Sequence, residues 1–341
     1  MPIVYAFVVA LIGVFVFHLV DLPLPWLLGP IFGCLIAALA GVPLGGIARL
    51  NEGMRTILGV AVGATMTPAV IATFPAMWPT LILMPLMVIA IGVLGVPYFQ
   101  RLCGYSFPTA YYATMPGGLQ DMLAFGEEAG AKVRTLSLVH ATRVMVIVVA
   151  LPFLLQGVWG AELSNPPGAP ATSIPAVELV LMVVAALLGW RIAKMVGLFG
   201  ASILGPLIFS AALALSGVLT HRPPAEAIWA AQFFIGMTIG SKYAGITMQE
   251  VRRDLLASLG FCVILIFLTV VFVEVIYTFD LAPGMEALLS FAPGGQAELT
   301  VLALIVGADV SFVVAHHVLR MLVVILGAPL AARIFNPEPR D

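Results

Sequence analysis

The segment YYATMPGGLQDM, residues 111–122, interrupts a chain that is otherwise built largely of leucine, valine, isoleucine and alanine. It contains a proline, two consecutive glycines, a glutamine and an aspartate, and the segment FAPGGQAEL, residues 291–299, repeats the pattern. Glycine permits backbone conformations that other residues rarely adopt, and proline removes a backbone donor. The two segments therefore predict breaks in helices.

The composition indicates a membrane protein. Hydrophobic residues make up 62% of the chain and charged residues only 9%, with a mean hydropathy of +1.12. A soluble domain carries about 25% charged residues. Apolar runs long enough to cross a hydrocarbon core of ~30 Å recur along the chain, without the short alternating segments of a membrane β-barrel. We therefore predict an all-α polytopic membrane protein in a lipid bilayer, and the net charge of −2 does not indicate a nucleic-acid partner.

The sequence matches itself when it is shifted by about 177 residues, which is the signature of an internal repeat. The matching pairs are LLGPIFGCLIAALAGV (27–42) with ILGPLIFSAALALSGV (203–218), LGVAVGA (58–64) with IGMTIGS (235–241), MPGGLQD (115–121) with APGGQAE (292–298), and HATRVMVIVVALP (140–152) with HVLRMLVVILGAP (317–329). The chain therefore reads as two copies of one unit.

Each copy contains five long apolar segments, which together predict about ten transmembrane helices. Their approximate spans are 3–19, 24–43, 56–75, 79–101, 132–158, 175–193, 198–218, 228–246, 255–279 and 308–333. Each copy also holds one broken PGG segment, at 105–128 in the first and at 284–304 in the second. We predict one membrane domain made of repeat 1 at 1–160, repeat 2 at 174–336 and an outer linker at 161–173.

The positions of lysine and arginine indicate whether the PGG segments cross the membrane. If each segment enters and returns on one side, twelve of these residues lie at cytoplasmic helix ends and only Arg222 lies outside. If the segments cross fully, the same residues divide six to seven. Basic residues concentrate on the cytoplasmic side of membrane proteins. The distribution predicts re-entrant PGG segments, two repeats of inverted topology, and both termini in the cytoplasm.

Inverted repeats with discontinuous helices are typical of secondary transporters, which bind substrate near the bilayer midplane. Irregular backbone at that depth must be surrounded by protein or line a cavity, where freed backbone groups can bind ions. A tight turn in a buried hairpin is the simpler interpretation, but two matched segments, each followed by an acid at the same offset, favour a binding site. The predicted site residues are Pro116, Gly117, Gly118, Gln120, Asp121, Pro293, Gly294, Gly295, Gln296 and Glu298.

A second group of candidates is His140 with Arg143 and, in the other copy, His317 with Arg320. Spacing of three residues places each pair on one helix face. Each arginine is predicted to lie roughly 16–18 Å into its helix, where a charge costs about 2.5–3.5 kcal/mol on insertion scales. Two interpretations remain open and are compatible. The arginines form ion pairs with Asp121 and Glu298, or they bind an anionic substrate while the acids or histidines carry protons.

At MPGGLQDML (115–123) and APGGQAEL (292–299), with HATR (140–143) and HHVLR (316–320) downstream, the sequence resembles the bacterial inner-membrane AbrB family. That family has a duplicated membrane unit, and its members are often labelled putative ammonia monooxygenase or regulator of aidB expression. It is distinct from the DNA-binding AbrB regulator. The resemblance implies a multi-pass protein of the bacterial inner (plasma) membrane, and it assigns no site residues.

The monooxygenase label can be weighed against the sequence. Copper or iron oxidation chemistry needs clustered histidine, cysteine or carboxylate ligands. Of the five histidines only His316 and His317 are adjacent, and neighbours on a helix point to different faces. We therefore predict no enzyme activity, no catalytic residues, no metal site and no cofactor. The regulator label also lacks a DNA-binding element in the sequence.

Together these patterns predict a secondary active transporter that moves a small organic anion or metabolite by alternating access. The coupling ion is expected to be H⁺ or Na⁺. The alternative is a membrane-embedded sensor or regulator that acts on gene expression indirectly, without transport. Expected partners are the small-molecule or ion substrate and the lipid bilayer, and a homodimer is left open.

Overall fold

The computed structural model describes residues 1–335 apart from positions 47, 165, 199, 248 and 250, so residue 336, the predicted end of repeat 2, lies outside the described residues. Within this part of the chain the regular structure is entirely helical, which confirms the all-α prediction. Six of the described helical segments are long and apolar enough to cross a membrane, namely Pro2–Leu19, Val70–Leu102, Val133–Trp159, Ala176–Met195, Arg252–Thr278 and Val310–Ala332. Three shorter apolar helices span Pro25–Leu39, Ala201–Leu215 and Gln296–Val306. The multi-pass class is supported, and the count of ten stays a prediction.

The described residues form fifteen α-helices, numbered here along the chain. They are α1 Pro2–Leu19, α2 Pro25–Leu39, α3 Ala48–Gly63, α4 Pro68–Thr73, α5 Trp78–Pro97, α6 Phe107–Thr114, α7 Leu119–Glu128, α8 Val133–Trp159, α9 Ala176–Met195, α10 Ala201–Leu215, α11 Ala225–Ser241, α12 Leu256–Thr278, α13 Gly284–Phe291, α14 Gln296–Val306 and α15 Val310–Phe335. Short 3₁₀ turns span Phe74–Met77 and Ala171–Ser173, and short π-helical turns span Tyr98–Leu102 and Val251–Leu255.

One predicted span, 56–75, is wrong in its bounds. The helix α3 begins earlier, at Ala48, and ends at Gly63, and a new helix starts at Pro68. The cause is local, because Thr67 caps α4 by accepting a hydrogen bond from the Val70 N–H (3.3 Å). Proline is well suited to the first position of a helix but lacks the N–H that a continuous helix would need there.

Helices α2 and α10 are also shorter than predicted, and for the same reason in each copy. A glycine follows each of them in the left-handed region, Gly41 with φ +83° and Gly217 with φ +74°. Glycine adopts this conformation without strain, and it commonly terminates a helix.

The chain divides into two compact units, which draw on both predicted repeats. Unit 1 comprises Met1–Pro75, Val149–Gly245 and Gln296–Val314, and unit 2 comprises Ala76–Val148, Ile246–Gly295 and Ala315–Asp341. The repeat boundaries at 160 and 174 therefore stay a prediction. Between them, the described residues of 161–170, which leave out position 165, are not helical, and a short turn spans Ala171–Ser173.

In unit 1 the packing follows the sequence repeat. Helix α1 packs on α2 as α9 packs on α10, and α2 packs on α11 as α10 packs on α3. Glycines make the last two contacts close. A Cβ atom on Gly240 would lie 2.5 Å from the Ile31 carbonyl oxygen, and one on Gly236 or Gly59 would collide with the carbonyl of Leu27 or Ile203. Small residues at a spacing of four, Gly59 and Gly63 in one copy and Gly236 and Gly240 in the other, thus let these helices approach closely.

In unit 2 an aromatic cluster joins α12 to the segment between α5 and α6. The rings of Phe99 and Phe261 lie 4.9 Å apart, and Tyr105 stacks on Phe99 at 5.3 Å. The Tyr111 hydroxyl donates to the Ala328 carbonyl oxygen (2.8 Å), which ties α6 to α15. These contacts hold the first half of a broken helix against the long helices of the unit.

Candidate functional site

The first PGG segment is a broken helix, as predicted. Helix α6 ends at Thr114, residues Met115 and Gly118 are extended, and α7 begins at Leu119. Within the break the Gly117 N–H donates to the Met115 carbonyl oxygen (2.9 Å). A bond between residues two apart defines a γ-turn, and Pro116 stands at its centre. The turn directs the carbonyls of Met115 and Gly117 away from any helix ladder, so both can accept from other groups.

The second PGG segment repeats this geometry. Helix α13 ends at Phe291, Ala292 is extended, and the Gly294 N–H donates to the Ala292 carbonyl oxygen (2.8 Å) around Pro293. Helix α14 follows from Gln296. The same residue chemistry thus produces the same break in both halves of the sequence.

Arg143 of α8 binds the first break. Its Nη1 donates to the Met115 carbonyl oxygen (3.2 Å) and its Nη2 donates to the Gly117 carbonyl oxygen (3.1 Å). The side chain is only 2% exposed. The guanidinium therefore satisfies the two carbonyls that the γ-turn leaves without helix partners.

Arg320 of α15 binds the second break in the same way. Its Nη1 donates to the Ala292 carbonyl oxygen (3.0 Å) and its Nη2 donates to the Gly294 carbonyl oxygen (2.9 Å). It is 3% exposed. Arg143, Arg320 and both sets of acceptors belong to unit 2, so one compact unit holds two equivalent guanidinium sites.

The two predicted histidines form hydrogen bonds to the half-helices just before each break. His140 Nε2 lies 2.9 Å from the Tyr112 carbonyl oxygen, and His317 Nε2 lies 3.0 Å from the Leu289 carbonyl oxygen. A carbonyl only accepts, so each Nε2 carries a proton and donates. Each histidine therefore binds the last turn of a half-helix, α6 or α13, beside the arginine of its own helix.

The expected ion pair between Asp121 and Arg143 is not formed. Among the described residues of unit 2, no carboxylate lies within 4 Å of either guanidinium. Asp121 stands in the first turn of α7, and its carboxylate lies beside Gly118. The N-terminus of a helix carries a partial positive charge that favours a carboxylate at this position. The helix end, and not Arg143, is thus the partner of Asp121.

Three further predicted site residues are Glu298, Gln296 and Gln120. Glu298 is 4% exposed on α14, in unit 1, where Lys242 is within electrostatic range. The Gln296 Nε2 is buried and has no hydrogen-bond partner in the part of the chain that the structure describes. The side chain of Gln120 lies outside the described residues. Whether any of these residues binds substrate stays a prediction.

Sequence reasoning missed a buried carboxylate in unit 2. Asp254, just before α12, accepts from the Tyr105 hydroxyl (2.8 Å) and from the Thr135 hydroxyl (2.9 Å). It is 6% exposed, and the Arg253 Nε lies 4.0 Å from it. Burial, and then the hydrogen bond to this carboxylate, raises the pKa of Tyr105 above its usual value. No local pattern signals the cluster, because its three members are far apart in sequence.

A second missed contact links α15 to α5 in unit 2. His316, fully buried, has its Nε2 2.9 Å from the Thr80 hydroxyl, and its ring lies 5.6 Å from that of Phe291. The adjacent histidines 316 and 317 therefore point to different partners, as neighbours on a helix must.

Comparison with known proteins extends the predicted resemblance. The sequence model of a family described as transition state regulatory protein AbrB matches residues 26–336. Uncharacterized protein YhjN of Bacillus subtilis (strain 168) is 27% identical, with 95% of this chain and 90% of that protein covered. Putative regulator AbrB of Escherichia coli (strain K12) is 22% identical, with 94% and 92% covered.

Proposed function

The chain belongs to the AbrB family, and on that premise we propose that it is a secondary active transporter that moves a small organic anion or metabolite by alternating access. One observation carries the proposal. Two buried guanidiniums of unit 2, Arg143 and Arg320, bind backbone carbonyls at broken helices, and no described carboxylate of that unit lies within 4 Å of them. Their positive charges remain available to an anion.

Backbone carbonyls cannot fully neutralise a buried guanidinium. The C-terminal end of a helix carries roughly half a negative charge, so the ends of α6 and α13 offset only part of each guanidinium charge. Buried charges are normally paired, because an isolated one in an apolar interior is costly. A bound anion would supply the missing charge. Arginine also suits this task, since its planar fork recognises carboxylate and phosphate through two parallel hydrogen bonds.

The broken helices support a transport mechanism. Discontinuous helices at equivalent positions of two repeats are typical of secondary transporters. In this chain the arginine and histidine contacts recur at equivalent positions in the two sequence copies, for Arg143 and His140 as for Arg320 and His317. We propose that the repeats are inverted, that ten helices cross the inner membrane with both termini cytoplasmic, and that motion of the broken segments exposes the site alternately.

Proton coupling fits the proposal better than sodium coupling. The carbonyls of Met115, Gly117, Ala292 and Gly294 would be natural Na⁺ ligands, but the two arginines already bind them. Asp121 and Glu298 remain as groups that can take up a proton. We therefore propose H⁺ as the coupling ion and these two carboxylates as the carriers.

The proposal is tested with purified protein and a panel of small anions. Binding is read as a rise in melting temperature, and transport as uptake into proteoliposomes under an imposed proton gradient. Arg143→Gln and Arg320→Gln should lose binding and uptake, whereas Arg101→Gln, which removes an exposed cation of unit 2, should retain both. Binding and uptake that persist in both site variants would overturn the proposal.

A sensor role is the second candidate, favoured by the name of the Escherichia coli relative, putative regulator AbrB. A sensor would bind its anion through the same arginines but would not move it. Binding that depends on Arg143 and Arg320, without uptake under any proton or sodium gradient, would therefore favour the sensor over the transporter.

A further inference from the structure

We infer that the bound anion carries two negative groups, one held by Arg143 and one by Arg320, each through the guanidinium edge that bears Nε. The inference rests on the proposed function, because it names the class of anion that the same site would take. It follows from three observations: the hydrogen bonds that each guanidinium already makes, the atom that each leaves without a partner, and the charge that both leave uncompensated.

One edge of each guanidinium is already occupied by backbone carbonyls. A guanidinium has five N–H donors in a fixed plane, and it can present two of them to a carboxylate either end-on, through Nη1 and Nη2, or side-on, through Nε and one Nη. In Arg143 the Nη1 and Nη2 atoms bind Met115 and Gly117, and in Arg320 they bind Ala292 and Gly294. The end-on edge of each arginine is therefore committed to backbone.

The Nε edge of each guanidinium has no partner among the described residues. The Nε atoms of Arg143 and Arg320 are both buried, and neither has a hydrogen-bond partner among the described residues. A buried donor without a partner is destabilising, and more so when it is charged. The same vacancy occurs at both arginines, at equivalent positions of the two sequence copies. The side-on edge of each guanidinium is the one that an anion can bind.

The positive charges of both arginines in unit 2 also need compensation. The two guanidiniums lie within electrostatic range of each other, and their hydrogen bonds among the described residues all go to carbonyl oxygens. A singly charged ligand would pair with one and leave the other uncompensated beside it. A ligand with two carboxylates, or two other oxyanion groups, would offset both charges and relieve the repulsion between them. Equal contacts at the two arginines further favour two similar anionic groups.

The test compares dicarboxylates with their monoamides, which keep the length and shape but remove one charge. The probes are malonate, succinate and glutarate, each with its monoamide, titrated onto the purified full-length protein by calorimetry and by melting temperature. Losing one charged hydrogen-bonded group should weaken binding by about ten-fold or more. We therefore expect at least one dicarboxylate to bind that much more tightly than its monoamide.

Variants of the two arginines test whether the preference for dicarboxylates depends on these guanidiniums. Lysine keeps the charge but cannot donate through the rigid two-bond fork, so Arg143→Lys and Arg320→Lys should each reduce the dicarboxylate preference to about three-fold or less. Arg101→Lys is the matched control on an exposed arginine and should keep the full preference. If the site variants do not fold, which size-exclusion and ligand-free melting would reveal, the comparison on the unaltered protein decides alone.

The outcomes separate this inference from the proposed function. Equal affinity for a dicarboxylate and its monoamide would overturn the inference that the ligand carries two negative groups. Binding of acetate and lactate but of no dicarboxylate would do the same. Either result would leave the proposal of an anion transporter standing. Absence of binding by every mono- and dicarboxylate would overturn both.

Discussion

Arg143 and Arg320 make the same pair of hydrogen bonds to backbone, with donor–acceptor distances of 3.1–3.2 Å for the first and 2.9–3.0 Å for the second. Each closes one broken helix against one long helix, α8 or α15. The Nη atoms therefore hold the breaks, and the proposed function adds a second task, the binding of an anion at the Nε edge.

Replacing one arginine should loosen only its own break. In Arg143→Gln the carbonyls of Met115 and Gly117 lose charged donors that are worth about 1.5–3 kcal/mol each, so local opening should become more frequent by roughly a hundred-fold or more. Amide hydrogen exchange should accelerate over 117–122 and stay unchanged over 294–299. Arg320→Gln should give the reverse pattern. Acceleration at both breaks in either variant would show that the two contacts are not independent.

The close helix contacts of unit 1 should not tolerate a methyl group. In Gly236→Ala the new Cβ would collide with the Leu27 carbonyl, and overpacking of this kind costs about 1–3 kcal/mol. The melting temperature should fall. Gly157→Ala is the matched control, because Gly157 lies in helix α8 with nothing within 4 Å of the added atom. That variant should be neutral or slightly more stable, as alanine is the better helix former.

The Asp254 cluster should stabilise unit 2 through the Tyr105 hydroxyl. Tyr105→Phe leaves the buried carboxylate with one donor fewer and should cost about 1.5–3 kcal/mol by denaturant or thermal unfolding. Tyr5→Phe, at an exposed ring, should have no effect. In a double-mutant cycle with Thr135→Val the two losses should not be additive, because both hydroxyls serve one carboxylate. Additive losses would mean that the two bonds act independently.

The same hydrogen bond should depend on pH at the alkaline end. The pKa of Tyr105 is raised in the folded protein, so the hydroxyl keeps its proton at pH values where an exposed tyrosine loses it. Its contribution to stability is fully present below the unfolded pKa of about 10 and is lost as the pH rises through the folded value. The stability difference between the unaltered protein and Tyr105→Phe should therefore be constant from pH 7 to about pH 9.5. Above about pH 10 the difference should fall, and a difference that stays constant or rises there would contradict the raised pKa.

Cysteine labelling tests the inverted topology. In a variant without the three native cysteines, Ser164→Cys and Ser106→Cys place a thiol at exposed positions in the predicted outer linker and just before α6. A membrane-impermeant maleimide should label residue 164 in intact cells and residue 106 only after lysis. If the PGG segments crossed the membrane fully, both positions would lie on the cytoplasmic side, and neither would be labelled in intact cells.

Much of the fold could be predicted from the sequence because its signals are local. The apolar composition predicts membrane helices, and the Pro-Gly-Gly pattern predicts the breaks, which lie at Met115–Gly118 and Ala292–Gly295. Proline and glycine act on their own backbone, so their effect needs no distant partner. The bounds of α3 were less predictable, since the Thr67–Pro68 helix start competes with an apolar run that continues past it.

What the sequence by itself determined is thus the helical membrane class, the family and the positions of the two breaks. Only the tertiary structure decided what the buried arginines bind. Reasoning from charge paired Arg143 with Asp121, but the guanidinium binds the carbonyls of Met115 and Gly117, while the carboxylate stays at the end of α7. Every residue has a carbonyl, so no letter in the sequence marks these acceptors. They become available only where the chain breaks and a distant helix brings a donor to them.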